Sequence, residues 1–195
     1  MSVKRYDCES DAQADLEILL STDFHLAGNV EIESAAFTGR RLRPDLVAIP
    51  RDKSYSDFLI GFEVKAGCPN KTGDYASHLK QAADYVLGEI VDARLFGENK
   101  ERFFARTIQA AFLFPSYDET YFDSRKEKLL RLYGMHQLSA KFKVGRATFV
   151  NGALALIMGA GANPVWIQGR GWRPHARGLV RGKRQIGSQR INLRI

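Results

Sequence analysis

The chain has 195 residues, 45% of them hydrophobic and 11% aromatic, which is enough for one well-buried core and short of two ordinary domains. The net charge of +7 is unevenly laid out: all 22 acidic residues lie at or before Glu127, and beyond it the chain is basic only. Cys8 and Cys68 match neither a disulfide scaffold nor a zinc pattern, and the opening MSVKRYDCESD lacks the apolar stretch of a signal peptide, so an intracellular, cytoplasmic protein without redox chemistry is expected.

In chain order, Glu9 to Leu20 reads as a helix, because Ala12, Leu16, Leu19 and Leu20 form an apolar stripe at helical spacing. Asn29 to Phe37 alternates as a strand, Thr38-Gly39-Arg40 reads as a turn, and Leu42 to Ile49 reads as a second strand closed by Pro50. Arg51 to Asp57 is a polar loop. Phe58 to Lys65 alternates cleanly, with Phe58, Ile60, Phe62 and Val64 on one face and Leu59, Gly61, Glu63 and Lys65 on the other. After a break at Gly67-Cys68-Pro69-Asn70, Tyr75 to about Val91 is an amphipathic helix carrying Leu79, Ala82, Ala83, Val86, Leu87 and Ile90 on one side.

Ile108 to Phe114 is a short apolar strand ended by Pro115, Asp118 to about Tyr133 is a charged helix, and Lys141 to Val150 is a further strand. Asn151 to Gln168 reads as a helix or strand, a turn, and a final strand through Val165-Trp166-Ile167. The turn at Gly159-Ala160-Gly161 is not followed by Gly-Lys-Ser/Thr, so it is no phosphate loop. The longest uncharged run, Ala147 to Gly169, is interrupted by Asn151, Gly152, Gly159, Gly161, Asn163 and Pro164, so no membrane partner is expected. The pattern predicts one mixed α/β domain over residues 1–168 and an Arg- and Gly-rich arm over 169–195.

Chemistry concentrates in Arg43-Pro44-Asp45 and Gly61-Phe62-Glu63-Val64-Lys65. Alternate strand residues share a face, so Glu63 and Lys65 point together while Val64 packs inward. Two charges directed from an otherwise apolar strand call for a compensating partner, and a divalent metal beside two carboxylates supplies one. Asp45 and Glu63 offer hard oxygen ligands for Mg²⁺, with Mn²⁺ as a substitute and the backbone carbonyl of Val64 as a further ligand. Such an ion lowers the pKa of a bound water and offsets charge on a phosphate, and Lys65 beside it orients the nucleophile or stabilises the transition state. A surface pair on an edge strand is the plain alternative for Glu63 and Lys65.

This pattern resembles the PD-(D/E)XK nuclease superfamily, which includes restriction endonucleases, Holliday-junction resolvases and RecB-type exonucleases. The resemblance rests on Pro44-Asp45 and Glu63-Val64-Lys65 on neighbouring predicted strands and spans about Glu9 to Val91, under half of the chain. Gln81 and Tyr85, four apart on the following helix and so on one face, are similar to the Gln-x-x-x-Tyr element of the RecB-type branch, where the pair helps hold the site and DNA. That branch's Gly-x-x-x-His pattern is absent here. Many members place an acidic residue on the first helix; Glu9 is the preferred counterpart and Glu17 the other. The resemblance implies a restriction-endonuclease-like α/β fold, a mixed central sheet flanked by helices, with a basic C-terminal extension. It also implies a metal-dependent nuclease with Asp45, Glu63, Lys65, Gln81 and Glu9 in the catalytic site and Tyr85 toward DNA.

The basic arm suits phosphate contacts through Arg170, Arg173, Arg177, Arg181, Lys183 and Arg184, with Trp172 available for stacking; Arg190 and Arg194 continue it. A solvated basic tail without a ligand is the plain alternative. No base-reading motif is found, so structure- or end-directed action on DNA is expected rather than sequence specificity. Where both strands are cut, a homodimer is a common arrangement. His25, His78, His136 and His175 show no metal-ligand spacing. The competing expectations are a non-catalytic nucleic-acid-binding protein on the same scaffold and a basic assembly or inhibitor protein.

Overall fold

Strands Leu46–Pro50, Ile60–Val64 and Ala110–Phe114 are buried at every position, so each needs cover on both faces. The computed structural model describes residues 6–34, 39–52, 57–66, 72–92, 106–115, 126–150, 153–159 and 165–168. The elements are α1 (Glu9–Leu20), β1 (Phe24–Ala27), β2 (Glu31–Glu33), β3 (Arg41–Leu42), β4 (Leu46–Pro50), β5 (Ile60–Val64), α2 (Thr72–Val86), β6 (Glu89–Asp92), β7 (Ala110–Phe114), α3 (Lys126–Lys141), β8 (Val144–Val150), β9 (Ala153–Ile157) and β10 (Val165–Gln168).

Seven strands form one mixed sheet in the order β1-β4-β5-β7-β8-β9-β10, and β3-β2-β6 form a second. Strand β4 pairs with β5 antiparallel, Leu46 opposite Phe62, while β5 pairs with β7 parallel, Glu63 opposite Leu113. Helix α1 covers one face, where Ala12, Leu16 and Leu20 join Leu46, Phe62 and Phe112. On the other face Tyr75, Leu79 and Ala82 of α2 meet Ala111, Leu113 and Val144, with α3 beside α2. A third apolar cluster joins Tyr85 at the end of α2 to Val47 of the large sheet, Leu59 just before β5, and Ile32 and Ile90 of the small sheet.

The fold is therefore the mixed α/β arrangement that the sequence pattern predicts, and α1 has the predicted bounds. Several elements differ. The predicted strand from Leu42 to Ile49 is two strands in different sheets, because Pro44 has a fixed φ and no N–H to extend the ladder. Strand β1 is too short to show a period and exists as the partner of β4, with His25 opposite Ile49. Helix α2 ends at Val86 instead of running to Val91, and Ile90 lies on β6.

Gly88 explains that end. A methyl group there would come within 2.6 Å of the Glu33 carbonyl oxygen and overlap the Ile32 side chain, so the chain can pass the small sheet only without a Cβ. At the opposite corner Gly39 turns β2 into β3 with φ of 80°, and its N–H donates to Glu33 Oε1 at 3.0 Å. The charged helix is described over Lys126–Lys141, so it runs past the predicted end near Tyr133, and β8 begins at Val144 instead of Lys141; the expectation for residues 118–125 falls outside the described residues, as does the arm over 169–195. The uncharged run contributes β9 and β10, and among the described residues no helix is long and apolar enough to cross a membrane.

Gly88→Ala is expected to destabilise the protein by about 1–3 kcal/mol through overpacking. Gly134→Ala, at an exposed helical position with open space around it, should instead stabilise by about 0.5–1 kcal/mol. Urea unfolding of the two variants measures both, and equal effects would contradict the packing account.

Candidate active site

The site begins where the antiparallel pairing of β4 and β5 stops, at Leu46 opposite Phe62. Lys65 N–H donates to the Phe114 carbonyl at 2.8 Å, continuing the ladder with β7. By alternation the N–H of Val64 faces the β4 side, where the paired register has ended. Asp45 takes the place of a ladder partner: its Oδ2 accepts the Val64 N–H at 2.6 Å. The Pro44-Asp45 break and the end of β5 are thus joined by a side chain.

Glu63 sits on β5 between β4 and β7 and is 1% exposed, so it is not part of an edge-strand surface pair. Its Oε2 accepts from the Tyr85 hydroxyl. Gln81 Nε2 donates to that hydroxyl at 2.9 Å, and the Arg43 carbonyl lies 3.2 Å from it. A phenol carries one proton; the charged carboxylate is the stronger acceptor. Glu63 Oε1 lies 2.5 Å from Lys65 Nζ yet has no well-aligned hydrogen bond despite its burial. Glu9, the first residue of α1, brings its Oε1 to 3.7 Å from the same ammonium.

The structure therefore brings Glu9, Asp45, Glu63, Val64, Lys65, Gln81 and Tyr85 together. Glu17 is elsewhere on α1, accepting from Gln13 at 2.9 Å. Tyr85 is fully buried with its hydroxyl directed at Glu63, so the expectation that it contacts nucleic acid gives way to a positioning role for the carboxylate. Arg170, Arg173, Arg177, Arg181, Lys183 and Arg184 lie outside the described residues.

Among the described residues three carboxylates, Glu9, Asp45 and Glu63, act on the one Lys65 ammonium. Burial raises the pKa of Asp45 above the ordinary carboxylate range, against the pull of the Val64 N–H and Lys65. Burial likewise raises Glu63, opposed by the adjacent Lys65 ammonium and the Tyr85 hydroxyl and reinforced by Asp45. For Lys65 burial acts to lower the pKa, but Glu63, Asp45 and Glu9 outweigh it and the net shift is upward. The Tyr85 phenol is raised by burial and by Glu63 and stays protonated.

Among the described residues, no group of three or more His, Cys, Asp or Glu side chains is placed to hold a metal ion. The donor set here is smaller: Asp45, with one oxygen pinned by Val64, and Glu63, with one pinned by Tyr85 and the other buried without an aligned donor. Two neighbouring carboxylates are the ligand type of Mg²⁺, which keeps several waters and takes one or two protein carboxylates. By donor type the residues present fit such an ion. No family model matches the chain, and neither a curated protein nor a solved structure does.

One polar pair has no signal in the sequence and lies apart from this site. His136 of α3 is buried against Tyr75, its Nε2 2.6 Å from the hydroxyl, and burial together with Arg146 lowers its pKa to about 3. It is neutral at physiological pH and belongs to the core. Tyr75 and His136 are 61 residues apart, so no local spacing could reveal the pair.

The raised carboxylates fix a sign. Above the ordinary carboxylate range the folded, metal-free protein holds more protons at Asp45 and Glu63 than the unfolded chain does, so their contribution to stability falls as pH rises through that window. Glu63→Gln removes one of the two groups. Its stability relative to the unsubstituted protein, measured in EDTA by thermal unfolding, should improve steadily from mildly acidic to neutral pH. A difference that stays constant with pH would contradict the assignment.

Proposed function

We propose that this protein is a metal-dependent nuclease that hydrolyses DNA phosphodiester bonds, structure- or end-directed rather than sequence-specific. The observation that carries the reading is the buried Glu63 carboxylate, one oxygen held by Tyr85 and the other facing Lys65, beside Asp45 and Glu9 in a cluster where, among the described residues, three carboxylates share one ammonium. A mixed sheet with helices on both faces supports reading the fold as restriction-endonuclease-like, with Glu63 on β5 and Asp45 immediately before the adjacent β4.

Asp45, Glu63 and the backbone carbonyl of Val64 would hold Mg²⁺ or Mn²⁺. When bound, the ion supplies Lewis-acid activation of water and charge neutralisation at the scissile phosphate. The protein's own part is positional. Val64 N–H and the Tyr85 hydroxyl each immobilise one carboxylate oxygen, which aims the other into the site. Lys65, kept protonated by its three carboxylate neighbours, places a cation where charge develops on the phosphoryl oxygens as water attacks and the ester bond breaks. Gln81 holds the Tyr85 oxygen so that its proton is directed to Glu63. The basic C-terminal arm would add phosphate contacts that carry no sequence information.

Incubation with linear, circular and branched DNA in Mg²⁺, Mn²⁺ or EDTA tests this directly. Cleavage should vanish in EDTA, and Lys65→Ala should lower the rate on the order of 10²–10³-fold while DNA binding persists. Binding without cleavage under every metal would instead leave a non-catalytic nucleic-acid-binding protein.

Tyr85→Phe separates positioning from contact. Losing the hydroxyl frees Glu63 Oε2, and the metal concentration for half-maximal cleavage should rise by about tenfold or more. DNA affinity in EDTA should stay unchanged, because the ring is buried. A weaker DNA affinity with an unaltered metal requirement would reverse that assignment.

A further inference from the structure

The chain reaches Asp45 through exposed arginines. Arg40, Arg41 and Arg43 are all exposed, and β3 is an outer strand of the small sheet. Leu42 packs inward on the cluster that contains Ile32, Val47 and Tyr85, so by strand alternation Arg41 and Arg43 share the outward face. Arg43 donates from Nε to Glu31 Oε1 at 3.2 Å, with its side chain 63% exposed. Its main-chain carbonyl lies 3.2 Å from the Tyr85 hydroxyl that holds Glu63. Residue 43 thus presents a cation to solvent while its backbone carbonyl lies beside the carboxylate site.

We infer that Arg41 and Arg43 form a phosphate track that seats a nucleic-acid strand beside Asp45 and Glu63, with Glu31 holding the Arg43 guanidinium until a phosphate replaces it. The inference rests on the nuclease reading and adds to it a binding surface on the folded body, separate from the C-terminal arm. Two residues of extended chain advance about 6.8 Å, so Arg41 and Arg43 are spaced as successive phosphates of an extended strand are, and Asp45 follows them across the Pro44 break. Guanidinium is the side chain best shaped for phosphate, through paired N–H donors. An exposed ion pair such as Arg43–Glu31 is worth little in water, so exchanging Glu31 for a phosphate is not opposed by much. The need for such a track follows from the site itself, whose excess of carboxylates repels a polyanion. A rival account takes the arginines as charges that protect the β3 edge from pairing with other chains; it predicts no effect on nucleic-acid binding.

The test is fluorescence anisotropy of the full chain with labelled single-stranded DNA in EDTA, across a salt series, comparing the Arg41→Gln/Arg43→Gln double variant and Glu31→Gln with the unsubstituted protein. The double variant should weaken binding on the order of tenfold at low salt and reduce the slope of log affinity against log salt by about 1.4, at about 0.7 for each single-strand phosphate that is no longer neutralised. Glu31→Gln should tighten binding. Unchanged affinity and slope in a double variant that melts normally would overturn the track, as would failure of the unsubstituted protein to bind DNA. If the unsubstituted protein cleaves DNA and the double variant binds it unchanged, the track falls and the nuclease reading stands. If nothing is cleaved while binding still depends on Arg41 and Arg43, the track stands and the enzyme reading falls.

Discussion

A carboxylate in the middle of an apolar strand has to be compensated within a few ångströms, because no water is there to do it. Glu63, 1% exposed on the buried strand β5, imposes that requirement on everything around it. Its Oε2 requires a donor from the α2 side, which ties the end of that helix to the sheet through Tyr85. Its Oε1 requires a cation on the same strand face, which Lys65 supplies two residues on. Lys65 in turn is shared with Glu9, so the start of α1 is drawn to the same point. Neutral side chains at these positions would leave the apolar packing intact but remove the reason for the two helices to converge where they do.

The second constraint is the break at Pro44. A continuous strand from Leu42 to Ile49 would pair along its whole length with one neighbour. The observed chain leaves the small sheet at Leu42 and enters the large one at Leu46. That gap is what puts a side chain, Asp45, opposite a main-chain N–H that would otherwise be capped by a strand. The same gap exposes Arg43 on one side and directs its carbonyl toward Tyr85 on the other. Both sheets therefore meet at the site, and the packing of Tyr85 with Val47, Leu59, Ile32 and Ile90 keeps them in register there.

Much of this was legible from local pattern, and what was not has identifiable causes. The bounds of α1 and the alternation of β5 follow from strong apolar periodicities, and the spacing of Asp45, Glu63 and Lys65 follows from the alternation. Glu9 was findable because it heads the inward stripe of α1. The end of α2 was not, since Ile90 fits a helical stripe four residues after Val86 as well as it fits a strand; the choice is made by the close approach of Gly88 to Glu33, a tertiary fact. The depth of Tyr85 was likewise hidden, because a four-residue spacing from Gln81 gives the face of a helix and not its burial. Strand β1, with four residues and an exposed His25, carries no periodic signal apart from its partner.

The distribution of charge ties these features to the proposed chemistry. At the site, among the described residues, carboxylates outnumber the one ammonium, while Arg40, Arg41 and Arg43 nearby are exposed and, in sequence, the chain beyond Glu127 carries no acidic residue. In the proposed chemistry a polyanion drawn to these arginines would meet a repulsive site, and a divalent cation at Asp45 and Glu63 would remove that repulsion. In the proposed reading cation and nucleic acid therefore favour each other's binding, and linkage makes the coupling equal in both directions. The same burial that raises Asp45 and Glu63 strengthens the coupling, because charges in a partly dry site interact more strongly than charges in water. Selectivity for a bound strand with its cation over either alone then arises from the placement of Glu63 in the core, without any contact to a base.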